Sequence, residues 1–118
     1  MDNDDILNVA KEAYALSQQL HELESAMLGK NSLSGYSAYA NNYNAILDRS
    51  KKILELDKTL LSTIDHLKHY DPQKAYGYVQ DFEEIKANIA TLKATLRTFF
   101  EFNFPKKEKE RMGFQTSE

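Results

Sequence analysis

The chain has no cysteine, no tryptophan, only two prolines and only four glycines in 118 residues. Without cysteine there is no disulfide, no thiolate metal site and no thiol nucleophile. So little glycine and proline argues against an all-β sandwich or barrel, whose turns consume both. No apolar run approaches the roughly 18 residues that a membrane-spanning helix needs. No basic-then-apolar leader opens the sequence. Charge does not lean strongly either way. Fifteen Lys and Arg against eighteen Asp and Glu leave a net charge of −3, which gives no overall electrostatic reason to expect nucleic acid. These absences lead us to expect a soluble, cytoplasmic protein that does not engage a membrane.

What is present is enough to fold. Hydrophobic residues make up 42% and charged residues 28%, a balance that excludes global disorder. The length suits one domain with its own core. In the first segment Ile6, Val9, Ala13, Leu16, Leu20, Leu23 and Met27 alternate steps of three and four. In the last, Ala75, Tyr78, Phe82, Ile85, Ile89, Leu92, Leu96 and Phe99 do the same. Such spacing is a narrow helical seam of the coiled-coil type. The middle segment follows the seam through Tyr39, Tyr43, Ile46, Ile53, Leu60, Ile64 and Leu67, and Leu47, Leu54, Leu56 and Leu61 widen it. A wider stripe suits a helix with two neighbours.

Punctuation sets the boundaries. Asp4 and Asp5 suit a positive helix N-terminus. Gly29, Asn31, Ser32, Ser34 and Gly35 form the one small-polar cluster, where one helix ends and another begins. Asp71-Pro72 reads as a cap followed by a first-turn proline. Pro105 stops the last helix. The expected fold is therefore all-α: an antiparallel three-helix bundle with helices at about 4–28, 35–69 and 72–102 and a long middle helix. If the middle helix bends near Ser50 or Asp57, the same stripes make a four-helix bundle. Residues 1–104 form one helical domain, and 105–118 read as a polar, flexible tail.

Short connections imply antiparallel neighbours. Folding the first helix back on the second pairs Leu23 with Ala40, Leu20 with Tyr43 and Leu16 with Leu47. Folding the third back on the second pairs Tyr43 with Phe99, Ile46 with Leu96 and Ile53 with Ile89. Apolar meets apolar in both. The same register makes a hairpin at 59–83 project roughly 18 Å beyond the first helix. Its inner face carries Leu60, Leu61, Ile64 and Leu67 on one arm and Tyr78, Val79 and Phe82 on the other. Two helices cannot bury such a face alone, so it is the expected interface of a homodimer. At the opposite pole Tyr36, Tyr39 and Tyr43 are expected to meet Phe99, Phe100, Phe102 and Phe104. Within that set Tyr36, Tyr39, Phe100, Phe102 and Phe104 are a candidate partner surface, because aromatic patches are favoured contact material. The plainer reading is a mini-core that caps the bundle end.

Candidate chemistry is sparse. Asp65, His66, His69 and Asp71 cluster near the second turn, but a structural zinc site needs four ligands and a carboxylate-bridged bundle site needs Glu-x-x-His, which is absent. His66-Leu67-Lys68-His69 falls short of the His-x-Leu-Lys-Gly pattern of helical phosphotransfer domains. Glu22 and Glu24, or Glu83 and Glu84, are too close in sequence to share a cleft. No phosphate loop, nucleophile elbow or His-Glu-x-x-His occurs. Catalytic, cofactor-binding and metal sites are thus not expected, and the expected function is that of a non-enzymatic interaction or regulatory module presenting helical faces to a protein partner. An alternative is a helical subunit of a nucleoprotein complex, with Arg49, Lys52, Lys86, Lys93 and Arg97 as a phosphate-binding stripe.

Overall fold

The structure, a computed structural model, describes residues 3–28 and 33–104. It is all-α. Helix α1 spans Asn3–Met27, α2 spans Leu33–Leu54, α3 is the single turn Lys58–Leu61, and α4 spans Tyr78–Asn103. The expected connection at 29–32 and tail at 105–118 lie outside the described residues.

Helix α1 and the end of α4 match their expected bounds to within a residue. Phe104 closes α4 in an extended conformation, its N–H donating to the Phe100 carbonyl at 2.9 Å. An extended residue is what a following proline demands. The apolar stripes of both helices are core: Leu16, Leu20, Leu23, Met27, Ile85, Ile89, Leu92 and Leu96 are all buried.

The middle helix departs from expectation. It ends at Leu54 rather than continuing to 69. Local hydrogen bonds shape the break. Leu56 and Asp57 close the last turn with three-residue hydrogen bonds to Ile53 and Leu54, the tighter geometry common at helix ends. Asp57 then goes extended, and its carboxylate accepts from the Leu60 N–H at 3.1 Å. A short acid gains more as a cap than as an interior residue. Ser62 and Thr63 donate their hydroxyls to the Thr59 and Leu60 carbonyls. Hydroxyls that bond nearby backbone in this way compete with helix propagation, and the chain advances by turns to residue 66.

Asp71-Pro72 likewise starts no helix. The Asp71 carboxylate accepts from the Gln73 N–H two residues on, at 2.9 Å, an Asx turn. The helix waits until Tyr78, behind Gly77 at φ +73°. That left-handed backbone suits glycine. Lys74 ties the loop to the first turn of α4 through Asp81 at 2.9 Å.

The break changes the topology. Arg49 meets Glu12, and the Tyr39 hydroxyl donates to the Ala26 carbonyl, so α1 and α2 are antiparallel in nearly the expected register. Lys93 meets Glu24, and Tyr14 meets Phe100, so α1 and α4 are antiparallel too. Tyr36 sits against Tyr78, and Tyr39 against Phe82, so α2 and α4 run parallel. The expected pairing of Tyr43 with Phe99 is replaced by Tyr43 with Tyr70. Residues 55–77 carry the chain back along α2, as a parallel pair requires.

The returning strand of chain, 67–70, has neither helix nor sheet of its own. Its backbone groups are met by one face of α2. Asn44 bonds both the N–H and the carbonyl of Tyr70, Lys51 donates to the Leu67 carbonyl at 2.5 Å, and Asp48 pairs with His69 at 2.6 Å. From α4, Glu84 and Asn88 hold the Tyr70 hydroxyl, and Thr95 bonds Thr63. Polar groups of irregular chain must find partners when they are taken from water, and this is where they go.

Candidate functional site on the α1 and α2 seam

Three long helices packed around one core leave three outer seams. The return segment covers the seam between α2 and α4 with Ile64, Leu67 and Tyr70, all buried. The seam between α1 and α4 is filled at one end by Ala10, Phe100 and Phe104, with Leu7 and Tyr14 packed against them. Among the described residues the seam between α1 and α2 has no such cover.

That seam holds two grooves. The upper one, of about 390 Å³, is floored by Leu23 and Ile46 and edged by Ala26, Tyr39, Asn42 and Ala45. The lower one, of about 380 Å³, is lined by Val9, Ile53 and Leu56, with Glu12, Lys52 and Glu55 at its rim. Arg49 lines both, and its 3.3 Å pair with Glu12 crosses the seam between them. Leu56 is half exposed. Ala26 and Ala45 are exposed and small, so a third backbone can come close over the floor. The lining residues recur at helical spacing on each helix, next to the core stripe. A polar-and-alanine flank of this kind carries almost no sequence signal, which is why Gln19, Ala26, Asn42 and Ala45 were not among the expected site residues. The broadened middle stripe, with Leu56 in it, was the only hint.

The expected site residues are distributed otherwise. Ile64, Leu67 and Phe82 are buried in the main core, Leu60, Leu61 and Tyr78 pack against it, and only Val79 is well exposed. No hairpin at 59–83 projects, because the chain turns at Asp57, so the open face argued for a homodimer is closed by the chain itself. The aromatic pole divides. Tyr36 and Tyr39 lie near the start of α4, whereas Phe100 and Phe104 lie at its far end against α1. The reason is the parallel course of α4, which places its first and last turns roughly 35 Å apart. Phe102 is exposed by itself at 72%.

The five basic residues do not converge on one surface. Arg49 is held by Glu12 and Lys93 by Glu24, and those acids stand on α1 about 18 Å apart along the axis. Lys86 pairs with Glu83 and lies 5.0 Å over the Phe82 ring. Lys52 and Arg97 are exposed on different helices. His69 is taken by Asp48, and among the described residues no three His, Asp or Glu side chains are grouped to hold a metal. No helix among them is long and apolar enough to cross a membrane.

Among the described residues the perturbed ionisable groups are tyrosines, and they belong to the interior. Burial pushes the Tyr36 phenol up to about 12, with the Asp81 and Asp71 charges adding to it. Burial raises Tyr43 still further. Tyr70 rises to about 12 through burial and its bond to Glu84. The Tyr36 and Tyr43 hydroxyls are buried without a hydrogen-bonding partner. A protonated phenol tolerates that position and a phenolate does not.

No known protein family matches the chain, and no curated protein or solved structure is detectably similar to it.

Proposed function

We propose that this chain is a small non-enzymatic interaction module that takes an amphipathic helix of a protein partner into the seam between α1 and α2. One observation supports this above the others: among the described residues the seam between α1 and α2 is grooved along its length, with an apolar floor, alanine edges and charged rims. A helix laid there would extend the bundle to four long helices, the packing that helix-in-groove recognition uses. The rim charges Glu22, Arg49, Lys52 and Glu55 would set its register, because rim charges act more on orientation and rate than on affinity. The role would be regulatory in the sense that binding, rather than chemistry, is the output. A cytoplasmic site of action is part of the reading, in keeping with a chain that has no cysteine and is 28% charged.

The test is site-specific photocrosslinking in the cell of origin. A crosslinking residue at exposed Ala45 should yield a discrete adduct, and Ala26→Arg should remove it. The same residue at exposed Ala90, on α4, should yield none. Equal labelling from both positions, or no adduct from Ala45, overturns the reading.

A further inference from the structure

The rim charges of the seam between α1 and α2 are sorted by helix. On α1 the ionised residues beside the two grooves are Glu12 and Glu22, both acids. On α2 they begin with Arg49 and Lys52, both bases, and only Glu55 at the lower end has the other sign. Glu12 and Arg49 meet across the seam at 3.3 Å through one guanidinium nitrogen, with side chains 43% and 57% exposed. A pair this exposed is weakly held, and the Arg49 fork keeps donors for a second carboxylate. Glu22 and Lys52 are exposed, and neither forms an ion pair among the described residues. One edge of the seam is thus anionic and the other cationic over most of its length.

The floors set a spacing. Leu23 and Ile46 floor the upper groove, and Val9 and Ile53 the lower. Along α1 the two floors are roughly 21 Å apart and along α2 roughly 10 Å. A helix lying between α1 and α2 reaches both with side chains about three turns, or about eleven residues, apart. Eleven steps of the α-helix return a side chain to within about 20° of the same face.

Direction follows from charge. A helix with acids on one flank and bases on the other can lay its apolar face on the floor either way round, but reversal exchanges its flanks. Between edges of opposite sign, one direction sets opposite charges together and the other sets like charges together. Helices α1 and α2 are antiparallel, so their dipoles offset and give neither direction an advantage.

We propose that the occupant of this seam is a partner helix with two apolar anchors about eleven residues apart, bases on the flank beside α1 and acids on the flank beside Arg49 and Lys52. Those flanks fix the direction in which it lies. The proposal rests on the helix-in-seam reading above and adds to it the chemistry of the partner.

The probes are three synthetic helical peptides of about eighteen residues, enough to run from Val9 to Ala26, with capped termini and one shared apolar face. The first has acids on one flank and bases on the other, the second exchanges the flanks, and the third has acids on both. Each carries a nitroxide at its N-terminus and is added to the full-length, isotope-labelled protein. The first peptide should broaden the amides at one end of the seam, Ala26 or Leu56, and the second those at the opposite end. The third should bind roughly tenfold more weakly at low salt, with the gap closing at about 1 M salt, where screening is short-ranged. Glu22→Lys combined with Lys52→Glu, at two exposed positions, should abolish the directional preference. First and second peptides that broaden the same end, or both ends alike, overturn the proposal, as does a third peptide that binds as tightly as the first. In those cases broadening at Ala26 or Leu56 still locates a helix in the seam, so the seam reading stands without the charge rule. Absence of binding by all three peptides also overturns the proposal, and the Ala45 crosslink then decides the seam reading by itself.

Discussion

The side-chain amide of Asn44 holds both hydrogen-bonding groups of one residue, Tyr70. Its Nδ2 donates to the Tyr70 carbonyl at 2.8 Å, and its Oδ1 accepts the Tyr70 N–H at 2.9 Å. The amide thereby replaces the neighbour that a β-strand would have provided. It fixes the returning chain on α2 twenty-six residues away in sequence, and the Tyr70 ring is then carried between Tyr43 and the Glu84 and Asn88 side chains of α4. Asn44→Ala leaves a part-buried N–H and carbonyl without partners. We expect a loss of about 2–4 kcal/mol, read from urea unfolding. Asn44→Asp keeps the acceptor and loses the donor, so it should fall between wild type and alanine. A loss below about 0.5 kcal/mol for Asn44→Ala, the size of an ordinary surface change, would mean that the return segment is held by its apolar residues alone.

Ile64 discriminates between the two topologies that the apolar pattern allows. It belongs to the return segment and is fully buried. Ile64→Lys places a charge where no partner exists and should unfold the monomer or leave it barely stable. In a projecting hairpin the same change would dissociate a dimer and spare the fold. Circular dichroism with solution mass separates the outcomes. Leu92→Ala, in the stripe of α4 and also fully buried, should cost about 2–5 kcal/mol by leaving a cavity.

The buried tyrosines make the fold sensitive to alkali. Unfolded, each phenol titrates near its ordinary value of about 10. Folded, Tyr36 and Tyr70 hold their protons to about 12 and Tyr43 beyond that. Above pH 10 the folded state therefore binds more protons than the unfolded one, so stability falls as pH rises. The contribution is complete below pH 10 and is lost between there and the folded values. Chemical denaturation at pH 9, 10 and 11 should show a declining midpoint. Tyr43→Phe should flatten the decline, and it should do no harm at pH 7 because the hydroxyl it removes has no partner. A midpoint that holds constant to pH 11 would contradict the burial of these rings.

Gly77→Ala should cost about 1 kcal/mol through backbone strain at φ +73°. The added methyl would meet only the Lys74 side chain, at 3.4 Å, so crowding contributes little. Gly77→Asn should be milder, since asparagine enters the left-handed region more readily than alanine. Equal midpoints for Gly77→Ala and Gly77→Asn would place the cost elsewhere than in the backbone.

Much of this molecule is legible along the chain, for a physical reason. Periodicity is local. The three-and-four spacing of Leu16, Leu20 and Leu23, and of Ile85, Ile89 and Leu92, determines that these segments are helices and which face they bury, whatever they pack against. Pro105 determines that α4 must stop, and the scarcity of glycine and proline determines the all-α class. Short linkage determines that α1 and α2 are antiparallel, which is why their register was nearly right.

Only the tertiary structure decided the rest. An apolar stripe reads the same in either direction, so it cannot say whether α4 runs against α2 or alongside it. That depends on where the middle helix breaks. At Asp57 the sequence allows either a helix interior or an N-cap. The balance is tipped by what lies far away in sequence: Asn44, Asp48 and Lys51 on α2 and Thr95 on α4, which together satisfy the returning backbone while Ile64, Leu67 and Tyr70 are buried. Once the chain returns that way, the face expected between two molecules becomes the interior of one. Among the described residues the seam between α1 and α2 is left grooved, a consequence of packing that no single segment encodes.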